Sequence, residues 1–438
     1  MTKSLSLGKD SIGRLFFAFS LPAVTGMLVT AFYAIVDGIF IGQGVGADGL
    51  AAINIGYPII NFAAALSLMF GIGGSTLISL HPKNKKVQNR CFSYIINLNL
   101  IAYAILVLLV IIFNEKLLYM MGSSKELLPM VKAYMYPCTL GVIFLMLANS
   151  LNAVVRNDKS PTYAFVSMVI GSVVNIFLDW LFIMVFKWGI FGGAIATALG
   201  QLCSFLFLIK YFLRFGSTFK YKVSIIKIKY LLKICSIGFP SFIMEFAVAL
   251  ITILFNISFM EYSGEIGVSS FCVVGYIFYI YRMLFTGLGQ GIQPIVSYNY
   301  GEKLYDRVHQ IYILGKKVAF VLGAGVLAWV ILFSKDLIKL FNSDPQLVSK
   351  ASHGMILYTS AIIFLALNFM EIAYLQAREQ AKYANILSIL RSTVYVLIAL
   401  LILPRILGEN GIWLALPASD LLTYLTTVIL KRANIIKP

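Results

Sequence analysis

Five carboxylates lie inside long apolar stretches of this 438-residue chain: Asp37, Asp179, Glu245, Glu371 and Asp420. Arg282 and Arg391 are the opposite charges in similar surroundings. A charge at the centre of a bilayer costs roughly 2.5–3.5 kcal/mol on insertion scales, so each of these residues asks for a reason. Five acids against two bases leave a negative excess suited to protons, Na⁺ or organic cations. Asn175 and Asp179 are four residues apart, which stacks them on one face of a helix. The scattered cysteines (Cys91, Cys138, Cys203, Cys235, Cys272) and three dispersed histidines offer neither a disulfide framework nor a metal-ligand spacing.

The elements that must hold these acids follow from composition. Hydrophobic residues make up 60% of the chain and charged residues only 12%, too few to cover the surface of a water-soluble protein. In lipid the backbone must satisfy itself, and apolar runs such as Cys91 to Phe113 are helix-length without strand alternation. The fold class expected is an all-α integral membrane bundle of twelve spans, at about 13–43, 49–80, 91–113, 129–150, 161–185, 189–212, 231–260, 266–297, 315–334, 351–375, 383–404 and 411–431. The first is read as an uncleaved span rather than a signal peptide. The formal charge of +17 does not point to nucleic acid, because the bases sit in the connections. With the N-terminus inside, 25 of the 35 lysines and arginines fall on the inner side, eight outside and two within spans. That bias predicts a multi-pass inner-membrane protein with both termini cytoplasmic.

The chain also repeats. At a shift of 218, Pro22 meets Pro240, Gly49 meets Gly267, Gly71 meets Gly289, Gly73 meets Gly291 and Ser79 meets Ser297. At 222, Arg156 meets Arg378 and Gly189 meets Gly411. Six spans per half predict an N-lobe at 1–215, a basic cytoplasmic linker at 216–230 and a C-lobe at 231–438. The halves are related by a pseudo-two-fold axis about a V-shaped central cavity. At 222, Asn175 and Asp179 meet Leu397 and Leu401, so the C-lobe lacks that polar pair.

Several blocks resemble the MATE (multidrug and toxic compound extrusion) family, nearest its MepA-like and DinF-like branch. They are Val36-Asp37-Gly38-Ile39-Phe40-Ile41-Gly42, Gly71-Ile72-Gly73-Gly74-Ser75, Asn152 to Asp158 followed by Pro161, and Gly193-Ala194-Ile195-Ala196-Thr197. The most specific is Gly287-Leu288-Gly289-Gln290-Gly291-Ile292-Gln293-Pro294 with Ser297 to Gly301. The resemblance implies a transporter rather than an enzyme, a secondary active efflux antiporter of amphipathic cationic drugs working by alternating access as a monomer. It also places Asp37 beside Asn175 and Asp179. Two carboxylates close together in low dielectric resist ionising together, which makes a proton-exchangeable pair, and the same oxygens could ligate Na⁺ instead. In the C-lobe Glu245 and Glu371 are candidate substrate or cation contacts, with Arg282 and Arg391 as candidate charge partners; Asp420 reads as structural.

No cofactor is expected beyond the coupling ion, H⁺ or Na⁺, since no phosphate-loop motif is present. The expected partners are amphipathic cations and membrane lipids. Two alternatives stay open at this point: a lipid-linked precursor or polysaccharide flippase of the same superfamily, and, more remotely, a membrane-embedded transferase.

Overall fold

The structure is a computed structural model that describes residues 5–214, 219–222, 226–341 and 344–436. Lys3, Lys437 and residues 215–218 and 223–225 around the expected linker lie outside those residues. Every regular element among the described residues is helical. Six spans come first: α1 (Ile12–Gly44), α2 (Ala47–Ser79), α3 (Lys85–Met120), α4 (Leu128–Asn157), α5 (Pro161–Val185) and α6 (Gly189–Arg214).

The next helical stretch, Ile228–Gly301, has 74 residues. At 1.5 Å per residue it would be about 110 Å long, over three times the hydrocarbon thickness, so it must turn back. It does so at Gly264 (φ 62, ψ −154), which divides α7 (228–263) from α8 (265–301). Phe255 stacks on Phe271 and Arg282 reaches Glu245, as an antiparallel hairpin centred at that glycine requires. Then follow α9 (Tyr305–Lys339), α10, α11 (Ala381–Leu407) and α12 (Glu409–Arg432). The tenth span is broken into Pro345–Thr359 and Ile362–Ala377, bent by 44°. Several helices outrun the apolar stretches that announce them. α3 begins six residues before its apolar run of 23, and directly after that run its backbone breaks at Asn114 (φ 31, ψ −114) before the last turns to Met120.

The duplication is written into the turns. Gly46 and Gly264, 218 apart, hold positive φ between the first and second spans of each lobe. Lys159 (φ 65) and Glu379 (φ 60), 220 apart, do so before the fifth and eleventh spans. Gly189 and Gly408, 219 apart and both at φ 59, do so before the sixth and twelfth. The late register is therefore 219–220, which corrects the shift of 222: Arg156 with Arg378 and Gly189 with Gly411 are chance identities. At 220, Asn175 and Asp179 meet Tyr395 and Ala399, and the C-lobe still lacks the polar pair.

The lobes close against each other on the face that carries both termini. A Cβ on Gly73 would stand 2.0 Å from the Ile234 carbonyl oxygen, and one on Gly238 would stand 1.9 Å from that of Met69. Here α2 and α7 touch backbone to backbone. The pseudo-symmetric contact is Gly291 of α8 against Ser20 of α1, where a Cβ would meet the Ser20 Cα at 2.5 Å. Polar ties run along the same seam. Arg156 donates to Gln290, Gln293 donates to Thr76, and Arg307 donates to the carbonyls of Leu7 (3.1 Å) and Asp10 (2.6 Å). Lys83 pairs with Glu302 at 2.5 Å. Towards the opposite face, the last inter-lobe hydrogen bond among the described residues is Asn61 to the Glu245 carbonyl, at 3.3 Å.

Candidate functional site

Small residues bring three helices together around Asp37. On α1, Gly26 abuts Met168 of α5 and Gly44 abuts Ile183, so α1 and α5 lie close on either side of the aspartate. On α6, Gly200 abuts the Gly171 carbonyl and Asn175 of α5. Asn175 consequently reaches across to Thr197, donating to its hydroxyl at 3.4 Å. Directly after Asp179, α5 widens into a π-helical turn, Trp180–Val185. Such turns interrupt regular helical packing and recur at functional sites.

The structure thus joins all three residues expected in the N-lobe. The carboxyl groups of Asp37 and Asp179 lie close enough to interact electrostatically, with Asn175 one turn away on α5. Asp179 is wholly buried. No hydrogen-bond partner among the described residues reaches Asp37 Oδ1, Asn175 Oδ1 or either oxygen of Asp179. Two carboxylates this close at low dielectric cannot both remain charged and unaccompanied. A shared proton would satisfy the pair. The donor set, carboxylate, amide and hydroxyl oxygens with no nitrogen or sulfur, also suits a hard cation such as Na⁺.

Thr197, Tyr33 and Tyr57 belong to the same surroundings and were not assigned from sequence. Thr197 closes the Gly193 to Thr197 block, and Tyr33 stands one turn before Asp37, so spacing could have found both. Tyr33 lies within electrostatic reach of both aspartates. Tyr57 lies between Asp37 on one side and Tyr279, Glu245 and Arg282 of the C-lobe on the other.

The C-lobe acids are handled differently. Glu245 pairs with Arg282 at 3.0 Å, and that guanidinium also donates to the Met244 carbonyl and lies over the Tyr279 ring. Both line a cavity of about 60 Å³ between the lobes, together with Thr286, Gln290, Gln293 and Gln376. Glu371 does not meet Arg282 or Arg391. Its Oε2 takes Lys431 at 2.6 Å and the Tyr312 hydroxyl at 2.5 Å, because the end of α12 folds back beside α9 and α10. Arg391 pairs instead with Asp420 at 2.5 Å, and Asn368 donates to the same aspartate. The position equivalent to Asp37 at a shift of 218 is Phe255, fully buried and packed with Phe259, Phe271 and Tyr358. Where the N-lobe keeps a polar nest, the C-lobe is filled with aromatic rings.

Twelve spans in two repeated lobes, an inter-lobe cleft and a buried oxygen-rich nest in one lobe define the two-lobed helical class of membrane proteins to which many secondary transporters belong. Within that class the family is shown directly. The MatE family model matches residues 22–181 and 240–401, stretches whose starts are 218 apart and whose ends are 220 apart, as the turns are. The chain belongs to the MatE family. It is 26% identical over 428 residues to the multidrug export protein MepA of Staphylococcus saprophyticus, covering 96% of this chain and 94% of that one. The MepA of Staphylococcus aureus strain NCTC 8325 is 24% identical over 420 residues. A solved structure of the MATE multidrug transporter DinF-BH is 31% identical with a TM-score of 0.90 and covers 99% and 98% of the two chains. A MATE family transporter of the MOP superfamily solved in an outward-facing conformation shares the fold, with a TM-score of 0.92 at 22% identity.

Proposed function

We propose that this protein exports amphipathic organic cations by antiport against H⁺ or Na⁺, from the inner membrane of a bacterium and with both termini in the cytoplasm. The observation that carries the reading is the Asp37–Asp179 pair with its unpartnered oxygens. A buried acid pair gains one compensating charge at a time. A proton or Na⁺ entering the nest removes the negative field that holds a cationic drug in the adjoining cleft, and a drug in the cleft disfavours the second cation. Exchange follows from that competition.

With the termini inside, the glycine seam closes the cytoplasmic half and the cleft opens outward, the state in which drug leaves and the ion enters. Rocking of the lobes about the seam completes the cycle. The names of the relatives, multidrug export protein and multidrug transporter, support the substrate class. The pairing of Arg282 with Glu245 argues against the flippase alternative, because it neutralises the arginine that lines the inter-lobe cavity among the described residues.

The test is efflux of a fluorescent cation from liposomes holding purified protein, with a pH gradient and a Na⁺ gradient imposed separately. Efflux driven by one gradient supports the reading and names the ion. Absence of drive by either gradient, beside an active control transporter, would refute it.

A further inference from the structure

A second cavity, of about 1060 Å³, opens on the terminal face between the N-lobe and the end of α8, away from the cleft. Its walls are the first turns of α1, the α2–α3 turn, the α4–α5 turn and the end of α8. Arg14, Lys83, Lys85 and Lys159 line it. Along α1, Arg14, Phe17 and Leu21 fall on one stripe, and the two apolar residues are 60% and 64% exposed. Seven residues of helix carry that stripe about 10 Å, from a basic mouth to an apolar wall.

The pseudo-symmetric half shows what is unusual here. The residue in the left-handed conformation before α11 is Glu379, and Lys233 in the second turn of α7 closes onto it at 2.7 Å. Before α5 the same place is taken by Lys159, and the first turn of α1 carries Arg14. Lys159 thus stands where the other lobe has an acid, while the place of Lys233, 218 earlier, is Leu15, with Arg14 beside it. Among the described residues Lys159 forms no ion pair and contacts only the Tyr298 ring, while Arg14 has just a 3.8 Å contact with Asp10. Of the two acids in the lining, Glu302 is engaged by Lys83, and Asp158 accepts from the Tyr211 hydroxyl.

We propose that this cavity binds the phosphate head group of an anionic phospholipid from the cytoplasmic leaflet. Lys159 and Arg14 take the phosphate, Lys85 stands at the rim, and an acyl chain lies along Phe17 and Leu21. The site rests on the orientation proposed above, and it neither uses the aspartate nest nor requires drug. An amphiphile, rather than a free anion, fits because the cations and the exposed apolar stripe share one wall. A bound lipid would tie α1 to the α4–α5 turn and hold the first span in place beside the seam.

Full-length protein in detergent is titrated with phosphatidylglycerol, phosphatidylcholine or glycerol phosphate, and its thermal midpoint is followed by intrinsic fluorescence. Phosphatidylglycerol is expected to raise the midpoint saturably, with the other two inactive over the same range. Lys159→Glu installs the acid that the other lobe carries at this turn and should weaken half-saturation about 25-fold, at roughly fivefold for each unit of charge near the membrane surface. Arg14→Gln should weaken it about fivefold, and Lys229→Gln, outside the cavity, should not change it. Glutamate is tolerated in this backbone conformation, as Glu379 demonstrates, so Lys159→Glu is expected to fold. An equal response of Lys159→Glu and wild type would overturn the site. An equal effect of glycerol phosphate would overturn the lipid, leaving a soluble-anion site. Neither readout involves drug or a gradient, so these outcomes are separable from failure of the transport reading.

Discussion

Adding one methyl group at Gly238 should open the cytoplasmic seam. The Cβ of alanine would sit 1.9 Å from the Met69 carbonyl oxygen, and the obstacle is backbone rather than a side chain that can swing away. Restoring an ordinary carbon–oxygen contact of about 3.4 Å requires α2 and α7 to separate by roughly 1.5 Å at that point. Overpacking of this kind costs about 1–3 kcal/mol, and here the cost falls only on the state in which the lobes are closed. The closed-to-open ratio should drop by roughly 5- to 150-fold. Spin labels at the exposed Lys86 and Asp306, one in each lobe, report the change as a longer inter-label distance. Gly325→Ala is the control, since a Cβ there meets nothing within 4 Å. Lys83→Gln removes the most exposed tie across the seam and should leave the distribution as in wild type, because solvent screens that pair. An unchanged distribution in a folded Gly238→Ala protein, or opening by Lys83→Gln alone, would refute the view that backbone contact holds the seam.

Three further outcomes follow from the same contacts. Arg391→Met leaves Asp420 buried without its partner and should cost about 3–5 kcal/mol in thermal or denaturant unfolding, most of it recovered in the Arg391→Met, Asp420→Asn double variant. Arg282→Gln frees Glu245 at the cleft and should tighten binding of organic monocations by about tenfold, measured by fluorescence titration; weaker binding would show that Arg282 positions the drug instead. Gly200→Ala drives a Cβ to 2.9 Å from that of Asn175 and should raise the half-saturating coupling-ion concentration several-fold with little change in drug affinity.

The N-lobe acids were legible because a carboxylate in a hydrophobic span is costly enough to stand out, and Asn175 and Asp179 share a helical face; that Asp37 belongs beside them was implied only by the family resemblance. What pairs with what was not legible. Lys431 counts in the sequence as one more cytoplasmic lysine, and only the return of α12 beside α10 brings it to Glu371. Arg391 finds Asp420 across 29 positions, a contact that depends on helix rotation rather than spacing. The span count was readable from hydropathy, whereas the break between Thr359 and Ile362 was not, since no proline or glycine marks it. The repeat was visible in its glycines, but identical residues misled at 222 where positive-φ turns fix 219–220. Gly73 and Gly291 were recognisable as a repeated pair. That they bring the two lobes into backbone contact required the tertiary structure.

The claim that the Asp37–Asp179 pair couples the ion to the drug is tested most directly by two transport modes in one Asp37→Asn variant. Gradient-driven uptake needs the ion site, whereas drug-for-drug counterflow across the same liposome membrane needs only the cleft and the rocking lobes. The account predicts that Asp37→Asn loses gradient-driven uptake and keeps counterflow. Gradient-driven uptake at the wild-type rate in that variant would place the coupling site elsewhere and contradict it.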